Sequence, residues 1–151
     1  MSQSPSPLPL NQLAFKHGPP LIHIRFLIST KSGNLLMCDS EDRIIEFCFR
    51  LHSHQLSSVC VLPSFCLTGS EKGFVNIWPL DFRECYLEQQ LQSQITSISA
   101  SPSGQSCAIG CKDGSIGIID ISTQKYRQVI RSHTECIHSI SINPHSSEFA
   151  T

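Results

Sequence analysis

Short apolar runs alternate with turn-forming residues along most of this 151-residue chain. The clearest example lies between Thr68 and Asp81, where two β-type segments flank Lys72-Gly73. A glycine at that place supplies the positive φ of a tight hairpin, so the pattern predicts strand, turn, strand. Val75 and Trp78 lie on opposite faces of the second predicted strand, because side chains alternate along a strand. A strand that is apolar on both faces is expected to be buried on both.

This strand–turn–strand cassette recurs along the chain. Asp42-Arg43 and Asp113-Gly114 align with Lys72-Gly73 without a gap, which places the turns thirty and forty-one residues apart. A fixed cassette at such intervals indicates a repeat architecture. Each unit is predicted to be a three-stranded antiparallel meander, with a fourth, outer strand at 126–130 in the third unit. Few residues separate the first cassette from the second unit, so the outer strand of the first unit is predicted to be missing or borrowed. The chain is therefore predicted to be all-β.

Histidines stand at a repeated place in these units. His17, His52 and His133 each precede the first apolar position of a unit by four residues, and Leu91 takes that place in the third unit. Histidine at three of four equivalent places indicates a structural role in the repeat rather than chance.

The order of these features resembles the WD repeat, the blade of a β-propeller. It comprises a histidine, an apolar strand, a Ser-Pro-x-Gly turn at 101–104, a small-residue strand, an Asp-Gly turn and a strand ending in tryptophan. The resemblance implies four-stranded sheets arranged radially, each held by a histidine, a turn aspartate, a Ser or Thr hydroxyl and a tryptophan. Carried onto this chain, the network residues would be His17, Asp42, His52, Thr68 or Ser70, Trp78, Asp113 and His133. No unit holds the complete set, since Lys72 stands where an aspartate belongs and Cys48 and Ile119 stand for tryptophan.

The resemblance also sets the expected domain organisation. Residues 1–15 are rich in Ser and Pro and are expected to form a disordered arm. Residues 16–151 are expected to form an incomplete propeller of about three and a half blades, with blades at 17–50, 52–88 and 91–130 and a fourth beginning at 133–151. We therefore expect the chain to be a fragment of a longer protein.

Composition narrows the function classes. The formal net charge is −1 and the cations form no basic stripe, which argues against a nucleic-acid partner. No apolar run reaches membrane-span length, so no membrane partner is predicted and the cytoplasm is the expected compartment. The eight cysteines form no Cys-x-x-Cys pair and are predicted to be reduced, mostly buried thiols. We predict no metal and no cofactor.

Catalysis is not predicted either. His52, His54 and Cys60 are close in sequence, but no orienting group or oxyanion donor accompanies them. Asp113 and Asp120 lack the further oxygen donors of a calcium loop. What remains is binding through the loops and edges of a rigid repeat scaffold.

Three segments resemble a large centriolar and ciliary member of this family: residues 51–71, Trp78-Pro79-Leu80-Asp81-Phe82 and Arg131-Ser132-His133-Thr134. That resemblance implies a non-enzymatic scaffold in centriole or cilium assembly, with tubulin, microtubules or centriolar proteins as partners. It also implies a place on the cytoskeleton, at the centriole, centrosome or ciliary basal body. Two alternatives stay open: an adaptor of another assembly, such as a ubiquitin-ligase substrate receptor, and a propeller hydrolase.

Overall fold

The computed structural model describes residues 24–131, 133–143 and 148–151. Within these ranges the chain forms thirteen strands and no helix, so the all-β prediction is confirmed. No helix in these ranges is long and apolar enough to cross a membrane. The predicted arm at 1–15 and His17 lie outside the described residues.

The strands form four antiparallel sheets in chain order. The first sheet contains β1 (Arg25–Ser29), β2 (Asn34–Asp39) and β3 (Ile44–Arg50). The second contains β4 (Leu56–Val61), β5 (Phe65–Ser70), β6 (Phe74–Pro79) and β7 (Leu87–Gln90). The third contains β8 (Ile95–Ala100), β9 (Ser106–Cys111), β10 (Ser115–Asp120) and β11 (Lys125–Arg131). The fourth contains β12 (Ser141–Ile142) and β13 (Phe149–Ala150).

The sheets stack side by side, and each interface between them is an apolar core. Because side chains alternate along β6, Trp78 faces the first sheet and Ile77 faces the third. Trp78 packs in a cluster with Leu35 and Phe82, whereas Ile77 packs with the isoleucines of β8, β9 and β10. A third cluster lies between the third and fourth sheets. The first strands of the second, third and fourth sheets, β4, β8 and β12, are the inner strands. β4 lies against β8, and β8 lies against β12.

Three glycine turns show which hairpins are equivalent. Gly33, Gly73 and Gly114 have φ values of +82°, +84° and +80°. The carbonyl oxygen of each accepts a backbone N–H from the segment that leads into the next sheet: from His52 at 3.1 Å, Leu91 at 2.8 Å and His133 at 3.4 Å. A side chain at any of the three would collide with a backbone carbonyl of that segment. The repeat spacing is therefore forty and then forty-one residues.

The prediction that Asp42 matches Lys72 and Asp113 is wrong. Asp42 lies in the turn between β2 and β3, beside Arg43, whose φ is +54°. The turns that share this feature are those before the outer strands β7 and β11, where Phe82 and Gln124 have φ values of +53° and +57°. Two consecutive hairpins of similar length have similar strand patterns, so the sequence alone does not distinguish the β1–β2 turn from the β2–β3 turn.

The prediction that the first sheet lacks its outer strand is also wrong, because β3 occupies that place. The described part of the first sheet instead contains no counterpart of the inner strands β4 and β8. Packing agrees with this assignment: β1 lies against β4, as β5 lies against β8 and β9 against β12.

Candidate functional site

A short chain of polar side chains crosses the core between the first two sheets. The hydroxyl oxygen of Thr68 accepts a hydrogen bond from the indole Nε1–H of Trp78 at 2.9 Å and lies 2.7 Å from Nε2 of His52. His52 and Trp78 are each 8% exposed and Thr68 is fully buried. β5 and β6 hold Thr68 and Trp78, and the segment between β3 and β4 brings in His52.

Burial disfavours the charged form of His52. Burial lowers the pKa of His52; nearby Glu88 opposes the shift and His54 adds to it. A neutral imidazole has one ring nitrogen free to accept. Because Trp78 already donates to the Thr68 oxygen, the Thr68 hydroxyl proton is available to Nε2 of His52. In this assignment the Thr68 hydroxyl donates to Nε2 of His52 and accepts from the Trp78 indole.

Ser70, the other hydroxyl considered for this network, has a different role. Its side-chain oxygen accepts the backbone N–H of Phe74 at 3.1 Å, which closes the turn between β5 and β6. Thr68 is therefore the hydroxyl that joins His52 to Trp78.

Asp113 occupies the equivalent turn of the third sheet, and its partners are serines. Its Oδ1 accepts the Ser115 hydroxyl at 2.6 Å and the Ser115 backbone N–H at 3.1 Å, while its own N–H donates to Ser93 Oγ at 3.2 Å. Burial alone would raise the pKa of Asp113, but hydrogen bonds from Ser115 and Ser93 outweigh it and lower the pKa.

The last two network residues lie apart from this core. His133 Nε2 lies 2.6 Å from the hydroxyl of Thr151, which repeats the contact of His52 with Thr68 at an exposed place in the fourth sheet. Asp42 is exposed, and its backbone N–H donates to Asp39 Oδ1 at 3.1 Å.

Hydroxyls between the inner strands were missed in the sequence. The backbone N–H groups of Ile98, Ile140 and Ile142 donate across the sheet boundaries to serine hydroxyls at 3.0, 3.0 and 3.1 Å. The acceptors are Ser58, Ser97 and Ser99. The available signal was serine at alternate positions of strands whose other face is apolar.

Two of the buried cysteines have strongly raised thiol pKa values. Burial raises the pKa of the Cys66 and Cys107 thiols to about 12, with the nearby Cys60 adding to both shifts and a backbone hydrogen bond opposing the shift at Cys107. A thiol in that state is a poor nucleophile. Within the residues described above, no group of three or more His, Cys, Asp or Glu side chains could hold a metal ion.

An open cavity of about 450 Å³ lies at the rim of the second sheet. Phe65, Pro79 and Tyr86 line its apolar side and Glu84 its polar side. Tyr86 is 60% exposed. A cavity of this kind fits an apolar side chain of a protein partner.

Comparison with known proteins agrees with this geometry. Residues 48–144 match the family model described as the anaphase-promoting complex subunit 4 WD40 domain. The chain is 27% identical over 143 residues to WD repeat-containing protein 90 of Xenopus tropicalis, covering 82% of this chain and 8% of that protein. It is 31% identical over 106 residues to centriole proteome protein 16 of Chlamydomonas reinhardtii, covering 70% of this chain and 5% of that protein. The chain thus spans under a tenth of the length of either relative.

A solved structure shows the same fold. Hydrazine synthase of Kuenenia stuttgartiensis superposes with a TM-score of 0.71 at 16% identity, over 80% of this chain and 36% of that one. At that identity the likeness shows the fold alone. The predicted partial β-propeller of WD-repeat blades is confirmed.

Proposed function

Because this chain belongs to the WD40 repeat family, we propose that it is a non-enzymatic scaffold for protein–protein interaction in centriole or cilium assembly. The observation that carries the proposal is the stack of sheets, which buried side chains hold together. The hydrogen-bonded row of His52, Thr68 and Trp78 is the clearest example of such contacts. A rigid stack of this kind presents loops and outer strands in fixed positions, as a docking platform requires.

The centriolar part of the proposal is supported by a relative's name, since centriole proteome protein 16 is similar to most of this chain. Centriolar proteins and tubulin are the proposed partners, and the centriole, centrosome or ciliary basal body is the proposed location. Partners would meet the exposed rim, including the cavity beside Tyr86, because the sheet interfaces are filled by the core clusters.

Co-sedimentation with microtubules and fluorescence localisation test this proposal together. The expected results are a fraction that pellets with microtubules in proportion to their concentration, and a tagged chain at the centrioles. Tyr86→Ala is a surface variant for mapping the rim, with Val61→Ala as its control, since both side chains are exposed. A diffuse distribution together with no binding to tubulin or centriolar proteins would falsify the proposal.

A second candidate is an adaptor in another multi-protein assembly. The matching family model carries the name of a subunit of the anaphase-promoting complex, which favours this candidate. Binding to components of such a complex, without binding to centriolar proteins, would select it.

A further inference from the structure

The cavity at the rim of the second sheet is built on paired strands. Phe65 at the start of β5 pairs with Pro79 at the end of β6, so the two side chains lie next to each other on one face. The backbone N–H of Tyr86 donates to the carbonyl oxygen of Ile77 at 2.8 Å, which holds the segment before β7 against β6. The ring of Phe65 lies against Gly104 in the turn between β8 and β9, where an added Cβ would approach it to 3.2 Å. These contacts hold the cavity of about 450 Å³ open before any partner binds.

A carboxylate without a partner lines this cavity. Glu84 is exposed, and among the residues that the structure describes its side chain takes part in no hydrogen bond or ion pair. The neighbouring cation, Arg83, pairs with Asp81 instead, with 3.9 Å between Arg83 Nε and Asp81 Oδ2. The Glu84 carboxylate is therefore available to a positive group of a partner.

The aromatic ring beside Glu84 is also uncovered. Tyr86 is 60% exposed, and its hydroxyl has no hydrogen-bond partner within the described part of the chain. In the third sheet, by contrast, Tyr126 covers Gly117, where an added Cβ would lie 2.7 Å from the ring. The face of an aromatic ring attracts cations, most often the guanidinium of arginine. Glu84 and Tyr86 therefore both favour a positively charged occupant.

The neighbouring rim carries the opposite charge. Glu84 and Glu88 are exposed at the outer edge of the second sheet, whereas Lys125 and Arg127 are exposed on the outer strand β11 of the third. Screening limits the reach of exposed charges to about 8 Å at physiological salt, so each rim acts on what binds beside it. A positively charged segment is therefore favoured at the second sheet over the third.

We propose that this cavity binds an arginine side chain of a protein partner. The aliphatic stem lies on Phe65 and Pro79, and the guanidinium meets Glu84 and the ring of Tyr86, so that one side chain uses the apolar and the charged walls together. Arginine suits this site better than lysine, because its planar guanidinium stacks on aromatic rings and bonds a carboxylate through two N–H groups. Such a site would serve the proposed scaffold role, on which the inference rests.

An uncharged side chain is the rival occupant. The walls formed by Phe65, Ile77 and Pro79 would accept leucine as well as the stem of arginine. Leucine gains nothing from the Glu84 carboxylate, so its binding should depend neither on that charge nor on salt. The two occupants can therefore be told apart.

Titration of the whole chain with short peptides, followed by NMR, separates these occupants. The probes are acetylated, amidated tripeptides with glycine on both sides of arginine, lysine, citrulline or leucine, where citrulline has the shape of arginine without its charge. The arginine peptide is expected to shift the amide signals of residues 84–86 in a saturable way below about 20 mM, and to bind more weakly as salt is raised. Lysine should bind more weakly than arginine, and citrulline and leucine about tenfold more weakly. No saturable shift with arginine, or citrulline or leucine binding as tightly as arginine, would overturn the proposal.

Substitutions test the two walls separately. Glu84→Gln should weaken binding of the arginine peptide about tenfold and leave the affinity for the leucine peptide unchanged. Glu135→Gln, at another exposed glutamate, is the matched control and should change neither affinity. Tyr86→Ala should also weaken binding of the arginine peptide, whereas Tyr86→Phe keeps the ring and should not. Undiminished arginine binding in Glu84→Gln contradicts the charge contact, and unchanged Trp78 fluorescence in each variant shows that the fold is kept.

The peptide titration and the centriolar assays can fail independently. A chain that binds the arginine peptide but is diffuse in cells, with no binding to tubulin or centriolar proteins, would retain this site and lose the centriolar role. A chain that localises to centrioles but does not bind the arginine peptide would retain that role and overturn the arginine site.

Discussion

The second and third sheets show the same architecture with opposite core chemistry. In the second sheet His52, Thr68 and Trp78 form a polar chain through the core. At the equivalent places of the third sheet stand Leu91, Ile109 and Ile119, all of them buried. The third sheet therefore forms without the hydrogen-bonded His–Thr–Trp network of the second sheet.

Energetics explain why both versions exist. A hydrogen bond contributes only about 0.5–1.5 kcal/mol net, whereas an unpaired buried polar group costs about 1–3 kcal/mol. Polar side chains that bond one another and a fully apolar core are therefore both compatible with a stable sheet, whereas a buried polar group without a partner lowers the stability. Changing one member at a time should be costly in either sheet.

The largest effect is expected from Trp78→Ala. Removing a buried aromatic side chain leaves a cavity that costs about 3–5 kcal/mol of unfolding free energy, measurable as a fall in the urea midpoint. Ile119→Val, at the matching position of the third sheet, should cost only about 0.5–1.5 kcal/mol. Equal losses in the two variants would mean that Trp78 is not a core residue.

Exchanging a hydroxyl and a methyl between the two sheets should destabilise both. Thr68→Val leaves His52 and the Trp78 N–H without their partner, and Ile109→Thr buries a hydroxyl among isoleucines. Each is expected to cost about 1–3 kcal/mol, although the substitutions are opposite in chemistry. If either variant matched the stability of the unchanged chain in urea denaturation, the contrast between the two cores would not hold.

The two sheets should also lose stability in different pH windows. The unfolded chain has a His52 pKa near its ordinary value of about 6.5, whereas burial lowers that pKa in the folded state. The unfolded state therefore binds more protons below about pH 6.5, and the free energy of unfolding should fall as the pH drops further. His52→Leu, which copies Leu91, should remove this dependence in denaturation measured from pH 7 to pH 5.

Asp113 makes the free energy of unfolding depend on pH in the acid range. Hydrogen bonds from Ser115 and Ser93 lower its pKa below the ordinary value of 3.8, against the effect of burial. Its contribution to stability is therefore complete above that value and is lost as the pH falls below it. Asp113→Asn should flatten the stability profile below pH 4 and leave the range from pH 7 to pH 5 unchanged.

Much of this fold could be predicted from the sequence because a hairpin is a local structure. The turns at Gly73 and Gly114 and the two-sided strand that ends at Trp78 follow from strand alternation and turn chemistry. The place of Asp42 does not follow from these rules, because consecutive hairpins look alike until the contacts between sheets are known. The role of Thr68 rather than Ser70 also depends on where His52 lies in space, because both hydroxyls share one face of β5.

The smallest effect is expected from Lys72→Asp, which restores the aspartate of the repeat to the second sheet. In the third sheet Asp113 accepts the backbone N–H two residues ahead, but the corresponding N–H in the second sheet, that of Phe74, already donates to Ser70. The new carboxylate would compete with an existing bond, so the change in unfolding free energy should stay within about 0.5 kcal/mol. The control is Lys72→Asn, which keeps the side-chain shape without the charge. A gain above about 1 kcal/mol for aspartate alone, lost when His52→Leu is added, would show that the carboxylate reaches His52 and that the second sheet can complete the whole network.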